Sequence, residues 1–63
     1  MLRKRDAIVG KRVVWRSLGA RLTPTFGTII DVTDRGEVVI EYDDGEGGGT
    51  FIDNAASTVY PST

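Results

Sequence analysis

At 63 residues, 40% of them apolar, the chain has room for one folded domain and no more. It has no cysteine and no histidine, which excludes disulfide staples, zinc sites of the usual kind, thiol nucleophiles and an ordinary base near neutral pH. The net charge of −1 hides a division: before Pro24 seven bases oppose Asp6 alone (+6), and from Pro24 onward Arg35 alone opposes eight acids (−7).

The basic start, Met1 to Asp6, resembles the opening of a signal peptide, but Gly10, Lys11 and Arg12 stand where its apolar stretch would follow. A cytoplasmic location is therefore expected, with residues 1–7 as a flexible basic lead-in to a single domain covering residues 1–63. Arg12 to Trp15 or Arg16 reads as the first strand, with Val13 and Trp15 on one face and Arg12, Val14 and Arg16 on the other. Ser17 to Thr25 reads as a long loop closed by Pro24. Phe26 to Val32 is the second strand, and Thr33-Asp34-Arg35-Gly36 a tight turn in which Gly36 is free to take a positive φ. Glu37 to Asp43 is the third strand: Val38, Ile40 and Tyr42 face inward, and Glu37, Val39 and Glu41 outward. Asp43 to Gly49 then reads as a flexible connection and Thr50 to Asp53 as a short fourth strand. Asn54 to Ser57 suits one 3₁₀ turn, and Thr58 to Tyr60 a last strand stopped by Pro61. This phasing leaves Val14, Ile30 and Val39 as exposed apolar spots on a charged surface.

The string Gly10-Lys11-Arg12-Val13-Val14-Trp15, followed after a loop by Gly27-Thr28-Ile29-Ile30-Asp31-Val32, resembles the opening of KOW-type and Tudor-like barrels. Val38-Val39-Ile40-Glu41-Tyr42-Asp43-Asp44-Gly45 looks like their third strand and its acidic turn, and Ala56-Ser57-Thr58-Val59-Tyr60-Pro61 like their closing turn and terminal strand. The resemblance runs from Ile8 almost to the end. It implies an all-β fold, a small five-stranded SH3-like barrel with a short 3₁₀ turn before the last strand. Barrels of this superfamily bind RNA, DNA, peptides or other subunits, so the fold does not choose among them.

The charge division has three readings. Bases of the first strand pair with acids on neighbouring strands; or Arg3, Lys4, Arg5, Arg12 and Arg16 form a patch for nucleic acid; or the domain is dipolar and meets the opposite charge of a partner or a second copy. The rings divide likewise. Trp15, Tyr42 and Tyr60 beside Asp43 or Asp44 have the composition of an aromatic cage for a cation. Against this, a domain so small is expected to place its rings in the core. The run Gly45-Glu46-Gly47-Gly48-Gly49 lacks the Lys and Ser or Thr of a phosphate loop, and Asp43, Asp44 and Glu46 match no calcium-loop spacing. No cofactor, metal or catalytic residue is expected. The chain reads as a non-catalytic protein-binding or assembly module, self-associating or joined to a protein partner. Nucleic-acid binding is the alternative, and no membrane contact is expected.

Overall fold

Alternation puts Val13, Ile29, Val38, Ile40 and Val59 on one side of their strands, and burying that side is what bends the sheet. The computed structural model describes residues 1–16 and 24–62, so most of the loop anticipated at 17–25 lies outside the described residues. A short 3₁₀ helix, Lys4–Asp6, precedes five strands: β1 (Arg12–Trp15), β2 (Thr25–Val32), β3 (Glu37–Tyr42), β4 (Gly47–Phe51) and β5 (Val59–Pro61). All pair antiparallel in one sheet of order β4-β3-β2-β1-β5, curled into the half-barrel of a small SH3-like fold. β1, β2 and β3 stand where side-chain alternation predicts them. A bulge between Ile29 and Asp31 in β2 leaves Ile30 exposed. The β2–β3 turn closes with Gly36 at φ 82° and its N–H donating to Thr33 O at 3.0 Å. Among the described residues no helix is long and apolar enough to cross a membrane.

The interior is aliphatic. Leu2 joins Val13, Ile29, Val38, Ile40 and Val59 in one buried cluster, with Tyr42 and Ile52 packed against it. Residues 1–7, anticipated as a flexible lead-in, are folded onto the barrel instead. Leu2 is fully buried, its carbonyl accepts the Asp53 N–H at 2.8 Å, and the 3₁₀ turn is closed from both sides. There the Asp6 N–H donates to Arg3 O at 2.8 Å while the Asp6 carboxylate accepts the Arg3 N–H at 3.0 Å. Burying a leucine side chain contributes about 1.5–3 kcal/mol, enough to hold a short basic segment that has no strand of its own.

Three further expectations are corrected. The rings do not fill the core: Trp15, Phe26, Phe51 and Tyr60 all reach solvent and Tyr42 is half-buried, because six aliphatic side chains already occupy the interior. Val14 is not an exposed spot but 5% exposed, since its register partners on either side are Tyr60 and Phe26. The fourth strand begins at Gly47, so the glycine run is sheet rather than connection. Its register pairs Gly47, Gly48 and Gly49 with Glu41, Ile40 and Val39. Asn54 to Ser57 forms a turn with a single i to i+3 bond, the Ser57 N–H donating to Asn54 O at 3.0 Å.

Candidate functional site

An open five-stranded order leaves two margins, β4 and β5, which do not pair with each other. Between them lies a groove of about 440 Å³, within the range of ligand sites. Gly48, Gly49 and Thr50 form one wall and Thr58 and Val59 the other, while Trp15, Tyr42 and Asp44 also line it. The Thr50 hydroxyl donates to Ser57 Oγ at 2.8 Å, a tie across the seam.

The two margins differ in what their backbones offer. The Tyr42 N–H donates to Glu46 O and the Ile52 N–H to Gly36 O, each at 2.9 Å, which sets the phase of the β3–β4 ladder. In that phase Gly48 and Thr50 bond to β3, and the N–H and C=O of Gly47 and Gly49 point out of the margin. On the other side, the Arg16 N–H donates to Thr58 O and the Ser62 N–H to Arg12 O, both at 3.0 Å. Val59 and Pro61 therefore face outward from β5. Val59 gives its N–H to Ser57 Oγ at 3.2 Å, and proline has none to give.

Tyr42 is seated by glycine on both neighbouring strands. A methyl group on Gly48 of β4 would lie 2.6 Å from Tyr42 Cε2, and one on Gly27 of β2 would lie 2.9 Å from Tyr42 Cδ1. The ring thus covers backbone that carries no side chain and stands as one wall of the groove. Burial pushes its phenol pKa above the ordinary value, and the negative charge of Asp44 adds to the shift.

The anticipated cage is brought together in part. Trp15 (36% exposed) and Tyr42 share the groove with Asp44, whereas Tyr60 does not line it. Alternation explains the separation: Val59 is directed into the core, so Tyr60 next to it points to the outer face, opposite Val14. Asp43 is engaged elsewhere. Arg12 reaches over Thr28, donating to its Oγ1 at 2.9 Å, and grips both carboxylate oxygens of Asp43 at 2.9 and 2.6 Å. Hydrogen bonding from Arg12 holds the Asp43 carboxyl below its usual range, and the same bond raises the Arg12 pKa. Asp44 Oδ1 accepts the Glu46 N–H at 3.0 Å, which fixes the β3–β4 turn.

The basic residues do not form one patch. Arg3, Lys4 and Arg5 are exposed around the 3₁₀ helix, and Lys4 lines a depression with Asp34, Arg35 and Asp53 beside the β2–β3 turn. Arg12 is tied to the β3–β4 turn at the opposite end of β3, and exposed Arg16 follows Trp15 on that side. Pairing with neighbouring acids accounts for Arg12, the one base in a salt bridge among the described residues. Among the anticipated apolar spots Ile30 is exposed and Val39 half-buried.

Sequence reasoning missed Gly48, Gly49, Thr50 and Ser57. Glycine carries no hydropathy signal, but Gly48, Thr50 and Ile52 alternate at strand spacing, and that period was the trace to follow. No family model, curated protein or solved structure matches the chain.

Proposed function

We propose that this domain is a non-catalytic protein-binding module that holds a cationic segment of a protein partner in the seam between β4 and β5. The observation that carries the reading is the groove itself, where Trp15, Tyr42 and the carboxylate of Asp44 line one space. A lysine or arginine entering there meets aromatic faces, each worth about 0.5–2 kcal/mol by cation–π attraction, and a carboxylate not tied to any base among the described residues. With neither histidine nor cysteine in the chain there is no ordinary base near neutral pH and no thiol nucleophile, which favours binding over catalysis.

A calorimetric titration with two synthetic peptides tests the proposal, one alternating lysine with valine and the other glutamate with valine. The lysine peptide is expected to bind, and Trp15→Ala and Asp44→Asn each to weaken it by about tenfold, the equivalent of one lost contact. Equal binding of both peptides, or indifference to Trp15→Ala, would contradict the proposal. An oligonucleotide arm decides the alternative. Binding of DNA or RNA at low salt with a steep salt dependence, and none of the peptide, would replace it with a nucleic-acid reading through Arg3, Lys4, Arg5 and Arg16.

A further inference from the structure

We infer that Gly47–Gly49 of β4 takes up the partner segment as an added antiparallel or parallel strand, so that recognition runs through backbone as well as side chains. The inference rests on the reading of the groove just given. Edge strands in soluble proteins are usually blunted by proline, by charged side chains or by bulges, because a bare edge templates pairing with another chain. β5 is blunted: among its margin-facing residues, Val59 is capped by Ser57 and Pro61 has no N–H. β4 is bare. Gly47 and Gly49 direct two N–H and two C=O groups out of the sheet; a Cβ at Gly47 would meet nothing within 4 Å, and one at Gly49 would have the Glu37 carboxylate 3.7 Å away.

The chemistry of the occupant follows from what borders this stretch. Asp44 and Glu46 lead into it, and Glu41 pairs with Gly47, so an approaching segment meets negative charge along its length. A residue of the added strand opposite Gly48 faces the same way as Gly48, onto the Tyr42 ring and into the groove. A lysine or arginine at that position is held by the backbone pairing at Gly47 and Gly49 on either side and has its cation between Tyr42, Trp15 and Asp44. The Thr50–Ser57 tie limits the docking stretch to the end nearest the acidic turn. The occupant is an extended, basic segment of another polypeptide, bound by strand addition.

Lysine–valine peptides carrying a single backbone N-methyl group at successive positions test the inference, together with amide exchange of the protein followed by NMR. The expected result is an alternating pattern: N-methylation at pairing positions weakens binding by about tenfold and at intervening positions leaves it unchanged, as loss of single backbone hydrogen bonds requires. Slowed exchange of the Gly47 and Gly49 amides in the complex completes that result. Binding that depends on Trp15 yet ignores N-methylation and leaves those amides unchanged would overturn strand addition while the groove reading stands. Failure of every peptide to bind would overturn both. Slowed exchange of Gly47 and Gly49 that grows with protein concentration alone would give the edge to a second copy and overturn the partner assignment.

Discussion

The two margins of the half-barrel meet the same groove and are built in opposite ways. β5 presents Val59 and Pro61, one with its N–H already bonded to Ser57 and the other with none, while the outward N–H groups of the β4 glycines have no bonding partner among the described residues. A bare edge templates pairing with another chain, and the protection of one margin alone is the asymmetry on which the proposed strand addition rests. The glycines on that side also make room for a ring: Gly48 is the residue whose missing side chain lets Tyr42 lie against β4. One choice of residue opens the edge and shapes the groove beside it.

The largest effect on this contrast is expected from Leu2→Ala. Leu2 is buried in the core, and its carbonyl holds the Asp53 N–H just beyond β4. A loss of about 2–5 kcal/mol in urea unfolding is expected. A loss below about 1 kcal/mol would mean that the β4 side stands without its N-terminal anchor. Ser57→Ala comes next, at about 1–3 kcal/mol, because one hydroxyl serves both margins: it accepts from buried Thr50 and from Val59. The variant also gives β5 a free N–H, so sedimentation should reveal more association than in the parent. Gly48→Ala should cost about 1–3 kcal/mol by overpacking Tyr42, against about 0.5 kcal/mol or less for Gly47→Ala, where space is open. Equal costs at the two glycines would remove the seating of the ring.

The smallest effect is in the titration of Tyr42. With Tyr60→Phe leaving a single phenol, absorbance should place Tyr42 above the ordinary tyrosine value, and Asp44→Asn should lower it only in part, burial being the larger cause. Its folded pKa is raised, so the neutral phenol's contribution to stability is complete below the ordinary value near 10. That contribution falls away as pH climbs through the folded one. A Tyr42 phenol that titrates at the ordinary value would take the ring out of the groove wall.

Much of the barrel was legible because Val38, Ile40 and Tyr42 alternate with Glu37, Val39 and Glu41, and period two admits no other half-buried element. The glycine start of β4 escaped, and the strand was placed at Thr50 to Asp53, because glycine is depleted in strands. Only the partner strand β3, whose outer side needs hydrogen bonds, draws it into the sheet. Leu2 escaped because its neighbours are Arg3, Lys4 and Arg5, and no local pattern says that one apolar side chain crosses to the core. At the groove, Trp15 and Tyr42 were named from composition. Tyr60 beside a core-facing Val59 had its outward direction written in the alternation.

Amide exchange of the free protein, resolved along residues 46–60, tests the contrast between the margins most directly. Fast exchange at Gly47 and Gly49, slow exchange at Gly48 and Thr50 between and beyond them, and slow exchange at Val59 across the groove are expected. Uniform protection through Gly47 to Thr50, or a fast Val59, would contradict a bare β4 facing a blunted β5.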